Sequence, residues 1–164
     1  MNADPNPKLD RAYRLIEKAY ERQRAGDFEA AVRLYKASID EAPTAEAHTY
    51  LGWTLSNMGK FDDAIEQCKT AILVDPGFGN PYNDIGSYLI QKGELDKAIP
   101  WLEMAKKAPR YEPRHFPYLN LFRVYLSQGR LDEAQREYQQ ARFIQGMLEF
   151  EAGTLDTEED GPAH

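Results

Sequence analysis

Two helical apolar stripes separated by a glycine occupy the middle of the chain. In AEAHTYLGWTLSNM, residues 45–58, apolar or small side chains fall at 47, 50, 51, 55 and 58, a spacing that gathers them on one helix face. Gly59 breaks the run, as a helix-ending glycine in the left-handed conformation does. FDDAIEQCKTAILVD, residues 61–75, resumes the helical spacing at 61, 64, 65, 68, 71 and 72. Pro76 ends it, because proline has no amide hydrogen to donate inside a helix. The pattern predicts an antiparallel helical hairpin. Gly52, Ala64 and Ala71 are small enough to let its two helices close on each other.

The hairpin recurs. Glycines at 26, 59, 93 and 129 are spaced by 33, 34 and 36 residues. Two positions after each comes Phe28, Phe61, Leu95 or Leu131, and five positions after each comes Ala31, Ala64, Ala98 or Ala134. Seven further on stands another small residue, Ser38, Ala71, Ala105 or Ala141. Self-similarity at such a period marks a stacked repeat architecture, in which each unit needs its neighbour to bury its apolar face. Two places depart from the period. KKAPRYEPRHFP, residues 106–117, carries three prolines and lengthens the last spacing. Pro100 lies inside a second helix, which predicts a bend there or a later helix start.

The columns resemble the tetratricopeptide repeat, whose pattern runs W-x₂-L-G-x₂-Y, A-x₃-F and P. Residues 45–78 carry Leu51-Gly52, Leu55, Ala64, Ala71 and Pro76, and 79–112 carry Tyr82, Ile85-Gly86, Leu89, Ala98, Leu102 and Ala105. Residues 115–144 carry Tyr118, Leu121, Tyr125, Ala134, Tyr138 and Ala141, with Phe122 where glycine is usual. Residues 12–44 carry Leu15, Ala19, Ala31, Tyr35 and Pro43, but Lys18 and Arg22 stand where Leu and Tyr are usual. That first helix is either shifted in register or solvated as an end unit. The resemblance implies an all-α fold, a right-handed α-solenoid of about four helix-turn-helix repeats with a short C-terminal cap. It places an N-terminal extension at 1–11, the repeat domain with its cap at 12–150, and an acidic disordered tail at 151–164. The second helix of the last repeat is expected to run on toward Glu151 despite Gly146.

The same resemblance implies a concave groove lined by the first helix of each pair. Its expected partner-binding residues are Tyr20, Arg24, Trp53, Asn57, Asn80, Asn83, Ser87, Phe116 and Arg123. Exposed aromatics and arginine are typical anchors of protein interfaces, and amides can bond an extended backbone as donor and acceptor at once. Some members of the family grip a terminal carboxylate with lysine, arginine and asparagine from successive repeats. Here those columns hold Ile16, Tyr20, Tyr50, Asn80 and Asp84, or, one repeat on, Thr49, Trp53, Asp84, Phe116 and Asn120. Neither set supplies the cations that a carboxylate requires.

Charge and composition narrow the function further. The chain of 164 residues has a net charge of −7. Glu151, Asp156, Glu158, Glu159 and Asp160, with no lysine or arginine among them, leave only −2 in residues 1–150. A nearly balanced body lacks the basic face of a nucleic-acid binder, and no apolar run approaches the roughly 18 residues of a membrane span. Lys106, Lys107, Arg110 and Arg114 form its one basic concentration, a candidate landing site for an acidic segment. Cys68 is the single cysteine, which excludes an intramolecular disulfide or a multi-cysteine metal site and favours a reducing, cytoplasmic setting. His48, His115 and His164 show no ligand spacing, GFGN at 77–80 lacks the rest of a phosphate loop, and EEDG at 158–161 lacks the ligand order of a calcium loop. No cofactor is expected. His48 and Cys68 fall in facing columns, the least arrangement that could activate a thiol, but both lie on the core side and no orienting group is in view. The expectation is a non-catalytic scaffold holding a peptide or protein segment, with homo-oligomer formation through repeat ends as the alternative.

Overall fold

The computed structural model describes the backbone of residues 6–158 and the side chains of 6–153. Eight α-helices follow one another: α1 Pro7–Arg24, α2 Phe28–Glu41, α3 Ala45–Asn57, α4 Phe61–Val74, α5 Asn80–Gln91, α6 Leu95–Lys107, α7 Phe116–Ser127 and α8 Leu131–Glu158. No strand forms among the described residues, and the one extended pairing is an isolated bridge between Phe78 and Arg110. Two compact units divide the chain, Met1–Tyr111 with α1 to α6 and Glu112–His164 with α7 and α8.

In the first unit each helix packs on the next, so the repeat columns become the core. Gly26, Gly59, Gly93 and Gly129 all have positive φ, between 70° and 80°, ending the first helix of each hairpin in the left-handed conformation. Side-chain oxygens cap the starts where the sequence offers them. Asn6 accepts from Leu9 N, Asp27 from Ala30 N and Thr44 from Ala47 N. α1 therefore begins at Pro7, within the segment 1–11 that the repeat pattern leaves outside its first unit. Its buried stripe is Ala12, Ile16, Ala19 and Gln23, while Lys18 and Arg22 are exposed. Of the two readings of that helix, a solvated end face is the one found.

Close packing follows the small columns. A Cβ added at Gly52 would meet Ala64 O at 3.0 Å and Cys68 Sγ at 3.1 Å, and one at Gly86 would meet Leu102 Cδ2 at 2.4 Å. Tyr35 is fully buried and donates its hydroxyl to Gln23 Oε1 at 2.8 Å, which satisfies the phenol inside the first hairpin. α6 starts at Leu95 with Pro100 inside it, so no later start occurs. Arg110 fastens the connection after α6 to earlier repeats. Its backbone bonds Gly77 and Gly79, and its guanidinium reaches Glu46 at 3.1 Å and Asp75 at 2.5 Å.

In the second unit Phe122 takes the place of the helix-contact glycine, and its ring centroid lies 5.2 Å from that of Tyr138. α8 passes through Gly146 without a break and continues to Glu158. Residues 151–158, expected in the acidic tail, thus continue this helix, and 159–164 lie outside the described residues.

Candidate functional site

The first helices α1 and α3 bring an aromatic row to one face of the first unit. Tyr20 and Tyr50 have ring centroids 5.7 Å apart, and Tyr50 and Trp53 6.3 Å apart. Tyr35, from α2, stacks behind Tyr50 with a centroid distance of 5.9 Å and an interplanar angle of 6°. Tyr50 is thereby held from below while Tyr20 and Trp53 stay open, at 37% and 42% exposure. Two tilted pairs and one stacked pair give the row a fixed geometry. Burial, then the neighbouring Tyr20, Glu46 and Asp84, holds the Tyr50 phenol above its ordinary range, so it remains neutral and able to donate.

The other expected groove residues divide between the units. Arg24 sits with its guanidinium carbon 5.9 Å over the Tyr20 ring, and Asn57 is exposed at the end of α3. On α5, Asn80 and Ser87 are half-buried and Asn83 is buried. Asn80 and Asn83 both have interactions of their own, so α5 offers less free amide than the column reading implies. Phe116 and Arg123 belong to the second unit. Phe116 is 44% exposed with its ring 4.6 Å from that of His115, and Arg123 donates to Asn120 Oδ1 at 3.4 Å.

Two residues of this face are absent from the expected binding set. Tyr50 is the centre of the aromatic row, and Asp84 stands on α5 close enough for its charge to raise the Tyr50, Tyr88, Tyr111 and Cys68 pKa values. Asp84 keeps part of its surface open, yet the atoms crowding its carboxyl push its pKa up to about 7. No hydrogen bond or cation from a described residue offsets that burial. Both residues were visible as columns that lack the clamp cations; the signal lay in what those columns hold instead.

Two chemical alternatives lose their footing. Cys68 is fully buried, and burial followed by the charge of Asp84 holds its thiol well above the ordinary range, where it is protonated and unreactive. His48 spends Nδ1 on Gln67 Oε1 at 2.8 Å. The basic concentration is also dispersed: Arg110 is taken by Glu46 and Asp75, and Lys106 by Glu103 at 3.2 Å. Two of its four cations are thus paired within the chain. Among the described residues no group of three or more metal-ligating side chains occurs, and no helix is long and apolar enough to cross a membrane.

The family model for the tetratricopeptide repeat matches residues 45–78. Small glutamine-rich tetratricopeptide repeat-containing protein 2 of Mycosarcoma maydis is 28% identical over 92 residues, 56% of this chain and 26% of that protein. The chain thus spans about a quarter of that relative's length. Among solved structures, MamA protein matches with a TM-score of 0.69 and 27% identity, over 84% of this chain and 74% of that one. The first tetratricopeptide-repeat domain of Spaghetti (RPAP3), bound to the HSP90 peptide SRMEEVD, matches with a TM-score of 0.67 and 16% identity, over 77% and 99%.

Proposed function

Because this chain belongs to the tetratricopeptide-repeat family, we propose that it is a non-catalytic binding module whose first unit holds an extended peptide or protein segment against α1, α3 and α5. The observation that carries this reading is the row Tyr20, Tyr50 and Trp53, aromatic, partly exposed and backed by buried Tyr35. Rigid aromatic surface of this kind concentrates binding energy in few side chains. A neighbour of the same fold is bound to a peptide, and that supports a segment as the occupant. The test is selection of peptides from a displayed library on the full chain, followed by Trp53→Ala. A selected peptide should lose about 2 kcal/mol of affinity, roughly 30-fold, with the helical signal intact. An affinity that survives the substitution removes the aromatic row from the site.

A second reading is favoured by α8. Phe143, Met147 and Phe150 are 65%, 49% and 73% exposed along one helix stripe, with Gly146 leaving room between them. A second copy laid antiparallel about Gly146 would cover the stripe and bring Arg142 of one copy near Glu149 of the other. Sedimentation of the full chain against Phe143→Glu distinguishes the two: self-association that the substitution abolishes supports this reading, and a monomer at every concentration removes it.

A further inference from the structure

We propose that the aromatic face of the first unit selects a segment carrying a lysine or arginine side chain, and that Asp84 is the group that receives its charge. The inference rests on the peptide-binding reading and adds the chemistry of the occupant.

Asp84 gives the fold nothing in return for its burial. It lies in the second turn of α5, which begins at Asn80, so it is past the amides a capping carboxylate would serve. None of the described residues donates a hydrogen bond to it, and none places a cation beside it. The ionisable groups that face it are Tyr50 from α3, Cys68 from α4, Tyr88 on α5 and Tyr111 after α6. Every one of them is neutral when protonated, and burial raises every one, so no change in their charge occurs near neutrality. Arg110, which follows α6, commits its guanidinium to Glu46 and Asp75. A carboxylate left in this state is a site for an outside cation, because a buried charge recovers its lost hydration only from an opposite charge or hydrogen-bond donors.

The surroundings suit an alkylammonium or guanidinium. The faces of Tyr50 and Trp53 attract a cation electrostatically and pack along its methylene stem. Arg24, over Tyr20, shows the same attraction within the chain. An acidic segment would set like charge against Asp84 in a poorly hydrated place, which is strongly unfavourable.

Burial also makes the interaction switchable. With its carboxyl pushed up to about 7, Asp84 is largely protonated in the free protein on the acid side of neutrality. A bound ammonium or guanidinium favours the ionised form, so its binding should tighten as pH rises through this value.

The experiment uses the full chain, immobilised, and four pools of dodecapeptides with degenerate flanks and a fixed central residue: lysine, arginine, norleucine or glutamate. The lysine and arginine pools should be retained about tenfold better than the norleucine and glutamate pools near pH 8, with the preference shrinking toward pH 6. Asp84→Asn should erase the preference, and Asp84→Glu should restore part of it. Equal retention of the norleucine and lysine pools overturns this inference alone, as does an Asp84→Asn chain that keeps the preference. Retention of no pool at all overturns the peptide-binding reading as well.

Discussion

Gly86 and Gly146 both lie within helices, and opposite effects are expected from the same substitution at each. Gly86→Ala drives a methyl to 2.4 Å from Leu102 Cδ2, in a contact closed on both sides. That overpacking should cost about 2 kcal/mol or more, read from urea denaturation. Nothing lies within 4 Å of a Cβ at Gly146, so Gly146→Ala should stabilise by about 0.5–1 kcal/mol through the unfolded state alone. Asp84 gives a third expectation. Unfolded, its carboxyl ionises near the ordinary 3.8; folded, near 7. The cost of charging it is therefore absent below about pH 4, grows between the two values and is complete above 7. Asp84→Asn should leave thermal stability at pH 4 unchanged and raise it at pH 8 by about 2 kcal/mol, a value reduced for the water its open surface admits. The steric columns were legible in the sequence because a glycine and the alanine it faces recur at fixed offsets. The state of Asp84 was not, since desolvation is set by several helices together. Nor was the neutralisation of Arg110, whose partners stand 35 and 64 residues away along the chain.

At the scale of helices the repeat period carried most of the information. Stripes at helical spacing, ended by glycines that all adopt positive φ, placed the turns between α1 and α2, α3 and α4, α5 and α6, and α7 and α8. Gly59→Ala forces a side chain into that conformation at φ 77°, although space around it is open. A loss of about 1 kcal/mol is expected, and Gly59→Asn should recover part of it, measured by thermal unfolding followed by circular dichroism. The start of α1 was missed for a different reason. Asn6-Pro7 is a capping residue followed by a first-turn proline, a start signal in itself, but it precedes the repeat columns. The division of expected groove residues between two units was equally hidden, because a column assignment says which helix face a residue occupies and nothing of how hairpins group.

Across the whole molecule the acidic balance and the aromatic face are independent features. The net charge of −7 is concentrated beyond residue 150, whereas the proposed cation site depends on one partly desolvated carboxylate. Long-range attraction of a basic segment is therefore screened by salt over roughly 10 Å, while the contact at Asp84 is far less sensitive, so added salt should slow capture more than it speeds release.

The close approach at Gly52 has one more consequence. It seals Cys68, the only thiol in the chain, behind two helices with no exposed surface. That sulfur is an internal stopwatch: a thiol reagent can react with it only while the second hairpin is open. Under native conditions the labelling rate reports how often that opening occurs, each 1.4 kcal/mol of opening free energy slowing it about tenfold. Occupation of the aromatic face, built partly on α3, should slow the clock in proportion to ligand saturation. A labelling rate indifferent to saturating peptide would mean that the hairpin opens without releasing its guest.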